Sequence, residues 1–263
     1  MIDFKYFAGF IDADGSIQAH VQKVKNGDGF YVHPVVSLSQ RKFRAQNLEE
    51  IADFYDLSVC EESRNPEMVE VRISGDKGRR LLEQIKKHLV IKDELAEYIL
   101  NLERRVYTQE EVDTIRQIIK TLRKKNVSNK NFPSRKWMAG YIDGDGCIQA
   151  YIYRTGSVKS HLTITSWNEA QAGLELIRKS FGGCIIHHGN ASRLQISFTP
   201  SKVRELYDYF GKHLRIKKDQ MILARDYIGN NRHSKRNGAT DEQNKKFCDT
   251  LATTKSESPK GML

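Results

Sequence analysis

From Ser16 to Gln22 the chain alternates strictly, with Ile17, Ala19 and Val21 on one face and Ser16, Gln18, His20 and Gln22 on the other. A period of two predicts a half-buried antiparallel strand. The turn sequence NGDG (26–29) predicts a hairpin, and YVHPVVSLS its return strand, in which Pro34 points to an irregular or edge position. Upstream, Phe7, Phe10 and Ile11 have helical spacing and Gly15 offers a helix stop. Downstream, RKFRAQNLEEIADFY predicts a helix, and LSVCEES with MVEVRIS a second hairpin. Further helices are predicted near 76–89, 93–106 and 109–125.

The same order then starts again. FAGFIDADGSIQA (7–19) returns as MAGYIDGDGCIQA (138–150), with nine of thirteen positions identical at a spacing of 131 residues. HLVIKDE (88–94) returns as HLRIKKD at an offset of 125, and VSLSQ (36–40) as LTITS at 126. TQEEVDTIRQIIKTL (108–122) has a faint echo in TDEQNKKFCDTLATT at 132. Fixed order with loop-sized slips marks a duplicated domain. In the second copy the strands are CIQAYIY, KSHLTITS, GCIIHH and SRLQISFT. The expectation is an α+β fold of two tandem αββαββα repeats, at 1–125 and 137–255. The polar stretch 126–136, with Pro133, reads as the linker, and 256–263 as a disordered tail.

Ala8-Gly9 and Ala139-Gly140 put small residues into otherwise bulky helices. Glycine inside a helix costs about 0.5–1 kcal/mol relative to alanine, so close backbone approach is the expected compensation. The two helices are therefore expected to pack on each other along a pseudo-twofold axis, with their C-terminal ends side by side below the sheets.

No run of about 18 apolar residues exists, which predicts no membrane span. Asp3, Asp12 and Asp14 interrupt the region where a signal peptide needs its apolar core. Cys60, Cys147, Cys184 and Cys248 stand singly, which argues against zinc and against a disulfide framework. They read as reduced, mostly packing thiols in an intracellular, reducing compartment. The net charge of +10 is uneven: 1–126 holds 21 basic and 21 acidic residues, and 127–263 holds 22 and 12. Such an excess suggests a polyanionic partner, nucleic acid first. The polar strand faces agree. Gln18, His20, Gln22, Tyr31, His33, Ser37 and Arg72 project from the first copy. Gln149, Tyr151, Tyr153, Lys159, His161, Thr163, Gln195 and Ser197 project from the second. Several of these are side-chain types that hydrogen-bond base edges, and a two-stranded ribbon fits the major groove.

Asp14 and Asp145 end the two repeated helices, where a carboxylate is disfavoured by the helix dipole and by its twin. A divalent cation would relieve both, and hard oxygen ligands without a His or Cys cluster favour magnesium over zinc. Asp12 and Asp143, about 200° round the helix from that position, read as structural residues bonding backbone or basic groups.

FAGFIDADG and MAGYIDGDG resemble the two signature helices of LAGLIDADG homing endonucleases of the single-chain, two-repeat kind. The resemblance covers nearly the whole chain. It implies a monomeric, intron-encoded enzyme that binds a long double-stranded DNA with two saddle-shaped sheets in the major groove. It implies a metal-dependent double-strand break with short 3′ overhangs. Asp14 and Asp145 would bind the metals, while the backbone ligand just before Asp14 stays unassigned. Magnesium is the expected ion, with manganese able to substitute and calcium expected to support binding without cleavage. Lys92 and Lys217, in the repeated HLxIK, match the family's lysine beside the cleavage site, and would stabilise charge or polarise solvent. Gln40 matches a residue that orients the water network, with Arg44 one turn on; the second copy departs, with Ser166 and Ala170 at those positions. Lys23, Lys25, Arg41, Lys42, Arg64, Arg154 and Arg193 are expected on phosphates, and NNRHSKRNG (230–238) as a basic clamp. Two alternatives remain open: a maturase that binds intron RNA, and a DNA-binding relative that no longer cuts.

Overall fold

The structure, a computed structural model, describes residues 2–63, 65–124, 133–154, 156–167, 171–230 and 241–254. In the first copy, α1 (Phe4–Ala13) leads into the hairpin β1 (Ser16–Lys23) and β2 (Phe30–Arg41). After α2 (Gln46–Phe54) comes a second hairpin, β3 (Cys60–Glu62) and β4 (Asn65–Ser74). Then follow α3 (Gly75–Ile85), α4 (Asp93–Leu100), a short β5 (Val106–Tyr107) and α5 (Gln109–Lys124). The second copy runs α6 (Arg135–Asp145), β6 (Gly146–Ile152), β7 (Val158–Trp167), α7 (Ala172–Phe181), β8 (Cys184–His188) and β9 (Ala191–Ser197). It closes with α8 (Pro200–Tyr209), α9 (Lys218–Asn230) and α10 (Asp241–Thr253). Both sheets are antiparallel with the same order, β1-β2-β4-β3 and β6-β7-β9-β8, and β5 adds to β2 in the first.

Three elements depart from the expectation. Pro34 sits in β2, a central strand, and not at an edge. It is tolerated where one flank of β2 is open: β4 pairs only from Val35 onward, and β5 only at Phe30 and Tyr31. The helix expected over 93–106 stops at Leu100. There Arg79 donates to the carbonyls of Leu100 and Leu102 at 2.6 and 3.1 Å, satisfying the chain end so that it can turn into β5. Third, neither Gly15 nor Gly146 ends its helix with a positive φ. They are glycines for room: a Cβ on Gly15 would stand 2.7 Å from Ile11 Cα, and one on Gly146 2.6 Å from the Ile142 carbonyl.

The helix pair α1 and α6 forms the centre of the core, where Tyr6, Phe7, Phe10, Trp137, Met138 and Tyr141 are fully buried. Each helix starts on a side-chain cap, Asp3 accepting from Tyr6 N and Ser134 from Trp137 N. The expected close approach is present. A Cβ on Gly9 would overlap the Trp137 carbonyl oxygen, and one on Gly140 would overlap that of Tyr6 and reach 2.8 Å from Phe10 N. Ala8 and Ala139 are fully buried beside them. At the far end a Cβ on Gly144 would be 2.5 Å from that of Ala13, so the helix C-termini do lie side by side. The cysteines correct the packing expectation: Cys60 and Cys184 are exposed and Cys147 and Cys248 half-buried, all as free thiols.

Candidate functional site

Asp12 and Asp143 hold the site together in a reciprocal way. Asp12 accepts from the backbone N–H groups of Val90, Ile91 and Lys92 at 2.7, 3.2 and 2.8 Å, and from Trp137 Nε1 of the other copy at 2.8 Å. Asp143 accepts from Arg215, Ile216 and Lys217 N at 2.7, 3.1 and 2.9 Å, and from the Tyr6 hydroxyl at 2.7 Å. Each aspartate thus pins the HLxIK turn of its own copy and one polar-tipped aromatic of the other. Tyr6 and Trp137 are aligned in the repeat at the same offset of 131 as the two aspartates. The contact is isologous, as a twofold interface requires. The sequence carried this signal in KYFAGF and KWMAGY, but the exchange of Tyr for Trp hid the shared feature, a donor at the end of a large ring.

Those turns aim the lysines. Lys92 Nζ donates to the carbonyls of Ile11 and Gly15 at 2.6 and 2.7 Å. Lys217 Nζ donates to Ile142 O at 2.8 Å, to Asp143 O, and to Gly144 O at 3.4 Å. Each ammonium therefore caps the C-terminus of a signature helix, where a cation is favoured. Lys217 is only 3% exposed, unlike a surface lysine. Burial pulls its pKa down to about 8, against the opposing charge of Asp143. Lys92 is lowered for the same reason, with Asp12, Asp145 and Asp14 acting against it.

Asp14 and Asp145 meet between these lysines. Burial raises the pKa of Asp14, against the charges of Lys217 and Lys92. Asp145 is pushed up to about 7, by burial first and then by the charge of Asp14. Each carboxylate feels the lysine of the other copy more strongly than its own, so the two centres are interleaved. A cavity of about 550 Å³ opens here, lined among others by Asp14, Asp145, Lys92, Arg123, Tyr141 and Ser166. Gln40, buried at the end of β2, donates from Nε2 to Asp14 Oδ2 at 2.6 Å. Its counterpart Ser166 lines the cavity instead, and Ala170 lies outside the described residues.

The strand register puts the expected reading residues on one face of each sheet. Gln18, His20 and Gln22 stand across from Val35, His33 and Tyr31, and Ser37 across from Arg72. Gln149 and Tyr151 stand across from His161 and Lys159, with Thr163 and His161 across from Gln195 and Ser197. Two of these are less free than the alternation suggested. His161 and Thr163 are 7% and 4% exposed: His161 pairs with Gln149 at 3.1 Å, and Thr163 donates to Cys147 O at 3.2 Å. Arg72 Nη2 lies 3.4 Å from His20 Nδ1, and the rings of His20 and His33 are 4.9 Å apart. The Lys159 ammonium sits 4.0 Å over the Tyr153 ring. Lys23, Lys25, Arg41, Arg154 and Arg193 are exposed, and Lys42, also exposed, is paired with Glu61. Arg64 and residues 231–240 lie outside the described residues, as do most of the linker and the tail.

Two closely packed helices, two carboxylates at their adjoining ends and two lysines capping those ends, below paired antiparallel sheets, define a two-repeat enzyme with a shared acidic centre. The family profile for LAGLIDADG endonucleases matches residues 7–100 and 138–224, and the chain belongs to that family. Comparison with curated proteins gives no match. Among solved structures, the LAGLIDADG homing endonuclease I-GzeII in complex with its DNA target is similar at a TM-score of 0.70 and 18% identity, over 99% of this chain and 100% of that one. I-SmaMI bound to cleaved DNA is similar at 0.70 and 17%, over 100% and 99%. I-AabMI bound to uncleaved DNA is similar at 0.67 and 18%, over 99% and 100%. At such identities these likenesses speak for the fold.

Proposed function

We propose that the chain is a monomeric, site-specific DNA endonuclease that cuts both strands of a long duplex target, leaving 3′ overhangs. The observation that carries this reading is the pair Asp14 and Asp145, brought together at the adjoining C-terminal ends of α1 and α6 with each carboxyl pKa raised. Two adjacent carboxylates that repel each other form an oxygen-donor set suited to a divalent cation, magnesium by its hardness. The metal, when bound, supplies an activated water and charge relief on the phosphoryl group. The two carboxylates would hold it. Lys92 and Lys217 add positive charge beside the phosphate, and Gln40 fixes one carboxylate of the pair. The polar faces of the sheets, over 1–125 and 137–255, would each read one half of the target. The basic surplus of the second half supplies phosphate contacts, which makes affinity fall steeply with salt.

The test selects duplexes from a randomised library in calcium, then offers magnesium. Cleavage at one long site, reduced at least about 10³-fold by Asp14→Asn or by Asp145→Asn, is the expected result. Specific binding with no cleavage would convert the reading to that of a non-cutting relative, and absence of both would turn the search to intron RNA.

A further inference from the structure

We propose that Arg123 is the phosphate-binding cation of the centre around Asp145 and Lys92, replacing the arginine that the second copy lacks. The inference rests on the endonuclease reading above and adds a residue to it. Around the first centre stands Arg44, in the single turn Lys42–Arg44 that follows Gln40. Its charge acts on the ammonium of Lys217, and it lies near Cys147. The aligned residues on the other side are Ser166 for Gln40, Ala170 for Arg44 and Ser16 for Cys147. Alanine carries no charge, so strict twofold copying would leave the second centre without a guanidinium.

Arg123 fills that place from a different element. It lies in the last turn of α5, and its side chain leaves that helix toward β1, with Nη2 3.5 Å from Ile17 O. It lines the cavity together with Asp145, Lys92, Ser166 and Ser16. It borders the same cavity as Lys92, the lysine that caps α1 through the carbonyls of Ile11 and Gly15. Each centre thus has one arginine in its neighbourhood, delivered in one case by the turn after β2 and in the other by α5. A basic residue at a helix C-terminus is often there for the dipole alone. Here the guanidinium contacts a neighbouring strand at a distance too long to hold it firmly, and it is exposed at the cavity mouth. A fork of N–H donors at the mouth of a cleft between two carboxylates suits a phosphodiester oxygen.

The experiment uses an end-labelled duplex that the wild-type chain selects in calcium and cuts in magnesium, with each strand followed separately. Arg123→Ala is expected to slow one strand at least tenfold relative to the other, and Arg44→Ala to slow the opposite strand. Arg123→Lys should restore part of the lost rate, with melting temperature and calcium-supported binding at wild-type values. Equal slowing of both strands, no slowing, or slowing of the strand that Arg44→Ala affects would overturn the assignment and leave the endonuclease reading standing. Failure of the wild-type chain to cut any selected duplex would overturn both.

Discussion

The two centres occupy the same frame and are furnished differently. Near Asp14 there is a glutamine bonded to the carboxylate, and Arg44 faces the fully buried Lys217. Near Asp145 the aligned polar residue is the shorter Ser166, Lys92 is only half-buried, and the open cavity lies on this side. What the copies share lies on the axis: Gly9 with Gly140, Tyr6 with Trp137, Asp12 with Asp143. Each of these residues touches one of the other copy, Gly9 and Asp12 meeting Trp137, and Gly140 and Asp143 meeting Tyr6, so a change in one strains its partner across the axis. Gln40 and Arg44 have no like residue at the aligned positions, which hold Ser166 and Ala170. Duplication therefore kept the axis and left the margins free to diverge.

The axis gives the largest expected effect. Gly9→Ala or Gly140→Ala drives a methyl group into a carbonyl oxygen of the opposing helix. Since the clash is with backbone, relief requires the helices to separate, and a loss above about 4 kcal/mol is expected from urea unfolding. A loss below 1 kcal/mol would mean that the helices are not in backbone contact. Next come Asp12→Asn and Asp143→Asn. Each buried carboxylate accepts from three backbone N–H groups and one ring donor, and an amide turns one acceptor into a donor facing them. A cost of about 2–4 kcal/mol is expected from each. Because the constellations match, the two costs should agree; a clear inequality would show that the axis, too, has diverged.

The axis was also the part most legible from the amino-acid pattern. The motif repeated at 131 residues announced the helix pair, its small residues announced the close approach, and alternation placed the strand faces. Asp12 and Asp143 could be assigned a structural role from helical spacing alone. The pattern did not carry contacts that join distant elements without periodicity. Arg123 looks like any basic residue at the end of an amphipathic helix, and only the tertiary fold brings it to the cavity. β5 has two residues, too few for any alternation to show. The burial of His161 and Thr163 likewise follows from crowding by neighbouring strands, to which a single-strand pattern is blind.

At the margins the effects shrink and should become one-sided. Gln40→Ala removes a 2.6 Å hydrogen bond that orients Asp14, so about a tenfold slowing of one strand is expected, worth ~1.4 kcal/mol in the barrier. Ser166→Ala should change either strand by less than about threefold, within the range of a marginal hydrogen bond. Strand-resolved time courses measure both. Equal and large effects from the two substitutions would restore the symmetry that the side chains deny.

The smallest effect concerns stability and is read without metal, in the presence of a chelator. Asp145 has its pKa raised from 3.8 to about 7, by burial and then by Asp14. The folded chain therefore holds this proton more tightly than the unfolded chain, and stability falls as pH rises from about 4 to 7. Above pH 7 the ionised carboxylate exerts its full destabilisation; below pH 4 both states are protonated and the effect vanishes. Asp145→Asn removes the ionisation and should melt above wild type at pH 8. Because the side chain is half-exposed, solvent screening discounts the shift, and about 1 kcal/mol, or roughly 2–4 °C, is expected. The advantage should shrink steadily toward pH 4. Asp14→Asn should gain less, since Asp14 is more exposed and a neutral amide accepts less strongly from Gln40 than the carboxylate does. Magnesium added to the wild type should close the gap at pH 8, because a bound cation answers the repulsion that the amide removes. Parallel melting curves for wild type and Asp145→Asn from pH 4 to 8 would show that Asp145 ionises as an ordinary surface carboxylate, and that the two acids do not repel each other across the axis.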